Sequence, residues 1–510
     1  MNPFSSLTTV VNIKLDRSNI VILVAHENNK IVLINWLSQK LKPPHVALVP
    51  SPGLGHLNPL VELANQLIVH HNFTVTFVIP NDGSCTKPHR KVLQALDPLS
   101  VSATFLPPIN FDDLPEGSQI ETRIALTMAR SLSALRDLVK VLAESTRLVA
   151  IVFYVFGSDA FDMAKEFHVA PYLFWSTTAM MLSFAFHLPR LDETTTCEYR
   201  DMPEPVQFPG CVPLHGRDFL EPVQDRSNEA YAAVLRTSKK LLLVAGVLVN
   251  SSLDLEPNVF KALKKGRAQG FPLVYPIRPI INLSPTDGGI NGQHECLSWL
   301  DKQLRGSDLF VAFGSGGTLS LKQIQELALG LEMSRQRFLW VVKRPNETAK
   351  NGTYFAPNRF LDPLGFLPNK FLERTKDVGL VVPSWVPQVQ VLSHASLGGF
   401  ITHCGWNSVL ENVVNGVPLI AWPLYAEQRS NVVLLADDIK IAWRVKMNEK
   451  GIMESQGIAK YARGLIEGDE GKLPRKKVKE LQEASKIALS PEGLSTKSLA
   501  EVAQIWKRNN

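Results

Sequence analysis

Residues 385–428 concentrate the side chains whose types and spacing could do chemistry. In the run GGFITHCGWNSVLENVV, Asn407 and Ser408 stand where a strand gives way to a helix. The N–H groups and positive dipole end of such a helix suit a diphosphate. His403, just before the turn, could donate to a phosphate oxygen, and Glu411, one turn into the helix, is spaced to accept from ribose hydroxyls. The spacing predicts a site for a nucleotide diphosphate sugar.

Other residues of this stretch extend the predicted site. Trp385 offers a flat face for a base, and Gly405 lets the backbone approach a ligand closely. Glu427 and Gln428 follow the next strand and could hydrogen-bond sugar hydroxyls. Each residue alone has an ordinary explanation, such as a core tryptophan or a solvated helix glutamate. The combination at these spacings favours the binding site.

The elements that must position these side chains follow an alternating strand–helix pattern. It runs from His45 (HVALVP, LNPLVELANQLIV, FTVTFVIP) to about residue 275, and a second series starts near LFVAFGSGG. The pattern predicts two doubly wound, Rossmann-like α/β domains facing a cleft, with ligands at the carboxyl ends of the strands. The expected boundaries are an N-terminal extension (1–43), a first Rossmann-like domain (44–280), a linker (281–295), a second Rossmann-like domain that contains the predicted site (296–488) and a helix returning to the first domain (489–510).

Composition narrows the function classes. The chain has 510 residues, 45% hydrophobic and 20% charged, with a net charge of +6, and no dense basic run argues for nucleic acid or an anionic membrane. No apolar run reaches the ~18 residues of a membrane helix. Five scattered cysteines give neither a disulfide framework nor a zinc pattern. We therefore expect a cytoplasmic protein, and further expect a monomer.

The stretch from Trp385 to Gln428 resembles the signature of plant secondary-product UDP-glycosyltransferases along its full length. The resemblance runs from about His45 to the C-terminus. Outside the signature, FHLPRLDETTTCEYRDMPEP and PGCVPLHGRDFLEPVQDR are most similar to the hydroquinone or phenol glucosyltransferase subgroup. The resemblance implies the glycosyltransferase B fold, UDP-glucose as donor, a small phenolic acceptor and no metal ion.

The resemblance also implies a role for each matching residue. A terminal Gln, as at position 428, goes with glucose in this family. The implied base and ribose contacts are Trp385, Val386, Gln388 and Glu411; the implied diphosphate contacts are His403, Asn407, Ser408 and Ser315 of FGSGG; the implied sugar contacts are Trp406, Glu427 and Gln428.

His56, in SPGLGHLNP, matches the family's catalytic histidine and is expected to take the acceptor's proton. A neighbouring strand of the family carries an aspartate that orients this histidine, and Tyr154 stands there in IVFYVFGSD. A tyrosine is neutral at pH 7 and cannot supply the countercharge. Asp159 matches a second acidic position, where we expect a helix N-cap.

Three interpretations therefore remain at this point. The chain is an active UDP-glucose:phenol glucosyltransferase, or an impaired UDP-sugar-binding homologue, because of Tyr154. A third, another enzyme of the same fold such as a nucleotide-sugar epimerase, is disfavoured by the full signature. The acceptor itself is not readable from the sequence, although Phe156, Thr177 and Thr178 are candidates for the cleft.

Overall fold

Two wholly parallel sheets form the framework of the chain, in a computed structural model that describes residues 42–83, 87–114, 118, 120–277, 280, 293–347, 364–383 and 385–508. Within those residues the strand order is β3-β2-β1-β4-β5-β6-β7 in one sheet and β10-β9-β8-β11-β12-β13 in the other. The strands are β1 (Pro44–Val49), β2 (Thr74–Asn81), β3 (Val101–Pro108), β4 (Arg147–Tyr154), β5 (Ala170–Trp175), β6 (Gly246–Val249), β7 (Leu273–Pro276), β8 (Asp308–Ala312), β9 (Arg337–Val342), β10 (Gly379–Pro383), β11 (Leu397–Thr402), β12 (Leu419–Ala421) and β13 (Ala442–Arg444).

Helices connect the strands in both halves, as parallel pairing requires. The helices of the first half are α1 (Leu54–His71), α2 (Lys87–Gln94), α3 (Ile120–Arg130), α4 (Leu132–Ser145), α5 (Phe161–Glu166), α6 (Ala179–Thr194), α7 (Glu229–Lys240) and α8 (Pro257–Lys265). Those of the second half are α9 (Gln293–Leu300), α10 (Leu321–Ser334), α11 (Phe371–Thr375), α12 (Gln388–Ser393), α13 (Trp406–Asn415), α14 (Gln428–Val433), α15 (Ser455–Ile466), α16 (Lys472–Leu489) and α17 (Leu494–Arg508).

The central strands are continuous apolar runs because both faces of each sheet are covered. All residues of β1 and β11 are buried, and so are all of β4 except its first. The strand order reverses between β1 and β4 in the first sheet and between β8 and β11 in the second. Ligands of doubly wound sheets bind at the carboxyl ends of the strands beside such reversals. The predicted fold class is thus confirmed.

The last helix lies against the first sheet. The ring of Trp506, on α17, meets those of Phe73 and Tyr172 edge to face, with centroids 6.0 and 5.1 Å apart. Arg147 at the start of β4 donates to the carbonyl of Lys507 over 2.6 Å. The C-terminus therefore crosses back from the second half to the first.

Two predicted segments lie largely outside the described residues: 1–41 of the N-terminal extension and 281–292 of the linker. Helix α9 begins at Gln293, inside the last residues of the predicted linker, and the domain boundaries stay predictions. In the part of the chain that the structure describes, no helix is both long and apolar enough to cross a membrane.

Candidate active site

The two strand-order reversals bring predicted site residues together from opposite halves of the chain. His56 follows β1 and Tyr154 ends β4, while Ser315 follows β8 and His403 follows β11. A cavity of about 310 Å³ lies between them, within the usual range for small-molecule sites. It is lined by His56, Tyr154, Ser315, His403, Trp406, Asn407, Ser408, Glu427 and Gln428 among others.

The other predicted donor residues lie beside this cavity rather than on its wall. Gln388, the first residue of α12, donates to the Ser408 hydroxyl over 3.0 Å and to a Glu411 carboxylate oxygen over 2.6 Å. Trp385 precedes α12 with 59% of its surface exposed, whereas Val386 is buried. The structure therefore groups Gln388, Ser408 and Glu411 and leaves the Trp385 face open to solvent.

His403 fits between two glycines. A Cβ on Gly314 or on Gly405 would come closer to His403 Nε2 than real Cβ atoms come to a ring. The turn that follows is tightly bent, with Cys404 in the left-handed region at φ 64°, a conformation that side chains other than glycine rarely adopt. Burial and the charge of Lys343 lower the pKa of His403 to about 3, which keeps the imidazole neutral.

A lysine that the sequence did not indicate brings positive charge to the turn after β8. Lys343 follows β9, and its ammonium donates to the carbonyls of Gly314 and Ser315. Burial lowers the Lys343 pKa to about 8. Helix α13 starts at Trp406, so its amino-terminal N–H groups face the same turn region. A diphosphate here would meet a helix dipole and a nearby cation.

The predicted sugar-binding pair sits at the start of α14. Gln428 is 3% exposed, and its carbonyl oxygen accepts from the N–H groups of Leu424 and Tyr425 at 2.7 and 3.0 Å. That use of the oxygen leaves the amide NH₂ as the donor for a ligand. Glu427 accepts from Asn431 over 3.2 Å, and burial raises the pKa of its carboxyl.

Hydrogen bonds across the cleft tie the turn of α13 to the first half of the chain. The Trp406 indole donates to the carbonyl of Asn250 over 2.7 Å, and the Asn407 amide donates to that of Gly55 over 3.1 Å. Gly55 immediately precedes His56. Helix α13 and the start of α1, which carries His56, are consequently held in one arrangement.

The ring of His56 is held by main chain and by aromatic rings. Its Nδ1 lies 2.7 Å from the carbonyl oxygen of Pro52. The Tyr154 ring lies 4.7 Å away, centroid to centroid, at 39°, and the Phe156 ring 6.2 Å away. Tyr154 is buried and hydrogen-bonded to the Ser176 side chain, and its pKa is raised mainly by burial. Position 154 therefore carries no charge.

Comparison with known proteins matches this geometry to one family. Residues 252–474 match the model of the family described as UDP-glucoronosyl and UDP-glucosyl transferase. The chain is 55% identical over 464 residues to a hydroquinone glucosyltransferase of Rauvolfia serpentina, covering 91% of this chain and 98% of that protein. The chain belongs to the UDP-glucoronosyl and UDP-glucosyl transferase family.

Solved structures of this transferase family share the whole fold. One is Phytolacca americana UGT2 complexed with UDP-2fluoro-glucose and pterostilbene, with a TM-score of 0.84, 47% identity and coverage of 91% of this chain and 100% of that one. Another is a UDP-glucosyltransferase from Polygonum tinctorium capable of glucosylating indoxyl. Its TM-score is 0.84 and its sequence identity 46%, and the match covers 91% of this chain and 99% of that one. The predicted glycosyltransferase B architecture is confirmed, and the chain is an enzyme of this family.

One expectation about the acidic residues of this transferase is wrong. Asp159 is not an N-cap, because α5 begins after Ala160 and no side chain caps it. The Asp159 carboxylate instead binds Lys240 at 2.6 Å and lies 3.6 Å from Arg236, both on α7. The Asp159 carboxylate is paired with these two cations. Asp159 therefore does not act as the carboxylate that orients His56.

The wall of the cavity that the first half of the chain contributes is apolar with a few polar groups. Phe156 and Thr177 line it, as expected, but Thr178 is fully buried and caps α6, its hydroxyl accepting from Met181 N–H over 3.0 Å. Glu121 on α3 was not anticipated; burial raises the pKa of its carboxyl to about 7. Its helix reads as an ordinary amphipathic one, so the sequence gives no signal for it.

Proposed function

We propose that this enzyme transfers glucose from UDP-glucose to the hydroxyl of a small phenol, with inversion at the anomeric carbon. The observation that carries the proposal is the meeting of His56 with the donor residues in one cavity between the two sheets. The identity to a protein named hydroquinone glucosyltransferase supports a phenolic acceptor, and the UDP-2fluoro-glucose complex of a relative supports the donor.

In this proposal the donor lies along the second half of the chain. Uracil stacks on Trp385 and meets the Val386 backbone, and the ribose hydroxyls bind Gln388 and Glu411. The diphosphate is met by His403, Ser315, Asn407 and Ser408, with Lys343 behind the turn. Glucose contacts Trp406, Glu427 and Gln428.

His56 is the general base of the proposed reaction. A carbonyl oxygen only accepts hydrogen bonds, so the contact with Pro52 places the ring proton on Nδ1. Nε2 then carries the lone pair and can take the acceptor's proton as its oxygen attacks. The bond from the anomeric carbon to the diphosphate breaks, and UDP leaves with the electron pair.

We further propose that the reaction needs no metal ion. A helix N-terminus and Lys343 supply charge where a metal would otherwise act. Among the described residues no group of three or more His, Cys, Asp or Glu side chains could hold a metal. The cytoplasmic location and the monomeric state stay predictions.

The test is to incubate the purified chain with UDP-glucose and hydroquinone in the presence of a chelator and to analyse the product by NMR. A β-glucoside formed at an undiminished rate is expected. Retention of the α configuration, or loss of activity that magnesium restores, would contradict the mechanism.

Tyr154 favours a second candidate function, that of an impaired UDP-sugar-binding homologue. Its neutral ring stands beside His56 where the resemblance predicts a carboxylate. Tight UDP-glucose binding without any product would favour this second function.

A further inference from the structure

One fully buried asparagine contacts both the turn after β11 and the predicted sugar-binding pair. Asn431 lies on α14, four residues after Glu427, and none of its surface is exposed. Its side-chain NH₂ group donates to the main-chain carbonyl of Cys404 over 2.9 Å and to a Glu427 carboxylate oxygen over 3.2 Å. A main-chain carbonyl only accepts hydrogen bonds, so the contact with Cys404 fixes which way the amide points. One side chain thereby joins two segments that are distant in sequence.

The Cys404 carbonyl belongs to a strained turn. Cys404 has a φ of 64°, in the left-handed region, and such a residue keeps this conformation only where its surroundings hold it there. The Cys404 N–H donates to the Thr402 hydroxyl over 3.3 Å, and Asn431 holds the carbonyl on the other side of the residue. His403 stands directly before Cys404, and α13 begins at Trp406. Asn431 therefore helps to fix the groups to which we assign the diphosphate.

The Glu427 carboxyl group is the second partner of Asn431. Glu427 lines the cavity and follows Ala426, another residue in the left-handed region, at φ 54°. Its carboxyl group is hydrogen-bonded to the main-chain N–H of Trp406, the first residue of α13, as well as to Asn431. Burial raises the pKa of this carboxyl, and the two donors oppose part of the rise. A carboxylate has about four acceptor positions, so these donors fix its orientation and leave other positions for sugar hydroxyls.

We propose that Asn431 is a positioning residue that couples recognition of glucose to recognition of the diphosphate, because its NH₂ group holds the Cys404 carbonyl and the Glu427 carboxylate at once. This inference rests on the proposed transfer of glucose from UDP-glucose. With no exposed surface, Asn431 acts through these two partners and not by touching the donor.

Loss of the NH₂ group should have two separable effects. The freed Glu427 carboxylate can rotate, so the anomeric carbon of glucose is less well aligned with the acceptor oxygen that His56 activates. A misplacement of about 1 Å can cost roughly 100-fold in rate. The freed Cys404 carbonyl loosens the turn beside the diphosphate. Because UDP has no glucose, its binding reports on the turn alone, whereas binding of UDP-glucose reports on both contacts.

Two leucine substitutions in the full-length chain provide the comparison. Asn431→Leu keeps the approximate size of the side chain and removes the NH₂ group. Asn412→Leu is the matched control, because Asn412 is also fully buried and its NH₂ group donates to the carbonyl of Val417, in the connection after α13, over 2.6 Å. Both variants replace a buried asparagine by leucine, so a general loss of stability should be similar in the two. Of the two, only Asn431→Leu removes a donor from Glu427.

Turnover of hydroquinone with UDP-glucose tests the contact with Glu427 in a double-mutant cycle. We expect Asn431→Leu to lower kcat by about tenfold or more in the otherwise unmodified chain. In the Glu427→Ala chain the same change should lower kcat by less than about threefold, since no carboxylate is left to orient. Asn412→Leu should change kcat by the same factor in both backgrounds. An equal loss from Asn431→Leu in both backgrounds would overturn the inference.

Calorimetric binding of UDP and of UDP-glucose separates the two contacts of Asn431. Asn431→Leu should weaken binding of UDP by about threefold or more, and binding of UDP-glucose by roughly tenfold more than that. Glu427→Ala should weaken binding of UDP-glucose alone. Unchanged UDP affinity in Asn431→Leu would overturn the link to the turn at Cys404, and equal losses for the two ligands would overturn the link to glucose.

Failure of this inference and failure of the proposed function give different results. Glucose transfer by the unmodified chain, with independent losses in the cycle, would overturn the role of Asn431 alone. No transfer by the unmodified chain would overturn the proposed function, and the binding measurements would then still decide the role of Asn431. Thermal unfolding shows whether each variant is folded. Asn431→Ala, which is smaller and also lacks the NH₂ group, takes the place of Asn431→Leu if the leucine variant does not fold.

Discussion

Binding of UDP-glucose should weaken as the pH falls, because Glu411 accepts hydrogen bonds from the ribose best when it is ionised. Burial raises the pKa of this carboxyl to about 7, and the amide of Gln388, 2.6 Å away, opposes part of that rise. If only the ionised form binds, the dissociation constant grows about tenfold for each pH unit below ~7. Between about pH 8.5 and about pH 5.5 affinity then falls roughly 30-fold, or about 2 kcal/mol.

Calorimetry of UDP-glucose binding without acceptor measures this effect. The ligand in this assay is UDP-glucose and not UDP. UDP has a terminal phosphate, whose second pKa of ~6 would obscure the titration of Glu411. Glu411→Gln keeps the size of the side chain but removes its charge. This variant should bind roughly 10-fold or more weakly at high pH, since hydrogen bonds to charged groups contribute about 1.5–3 kcal/mol. Its affinity should no longer fall tenfold for each pH unit below ~7.

Glu256 provides a matched control. Burial also raises its carboxyl pKa to about 7, but its oxygens accept from the N–H groups of Ala179 and Met180 at the start of α6. Glu256→Gln, where it folds, should retain the pH dependence of binding. If Glu411→Gln keeps that dependence, or binds as tightly as the unmodified chain at high pH, Glu411 is not the ribose ligand.

Three further outcomes are expected. Trp385→Ala should weaken uridine binding by roughly 1–3 kcal/mol, the value of one base–aromatic stack, without moving the melting temperature, since the side chain is exposed; unchanged calorimetric affinity would exclude stacking. Lys343→Met should weaken UDP binding by roughly tenfold more than uridine binding, because its ammonium holds the turn beside the diphosphate; equal losses would contradict this. Asp308 is fully buried at the start of β8 and its pKa is raised to about 6, so the folded state loses stability as the pH rises from ~4 to ~6. Asp308→Asn should therefore raise the free energy of unfolding by about 1–3 kcal/mol at neutral pH and by little near pH ~3.5. Denaturant titrations at both pH values measure the difference, and a gain independent of pH would refute the raised pKa of Asp308.

The sequence predicted the fold, and the meeting of several candidate residues in one cavity, because both depend on local patterns. Buried apolar runs between helices define parallel strands, and their carboxyl ends must lie along one edge of each sheet. His403 follows its strand directly, and Ser315 and His56 lie three and seven residues beyond the ends of theirs. Their meeting in one cavity could thus be expected before the structure was known.

Residues that act through the sheet order or the main chain could not be found in this way. Lys343 reaches the turn after β8 only because β9 is the neighbouring strand. Pro52 contributes a carbonyl, which every residue possesses. Asp159 begins a helix-like stretch in sequence, but its carboxylate binds Lys240, 81 positions away, and that tertiary contact decides its role.

The central claim, that His56 is the base of a working glucosyltransferase, is tested most directly by comparing the unmodified chain with His56→Ala. Glucose transfer from UDP-glucose to hydroquinone is measured beside calorimetric binding of UDP-glucose. The account predicts product from the unmodified chain, a rate lower by about 100-fold or more in the variant, and equal donor affinity in both. Tight donor binding with no transfer above the His56→Ala background would contradict it and leave a protein that holds UDP-glucose without using it.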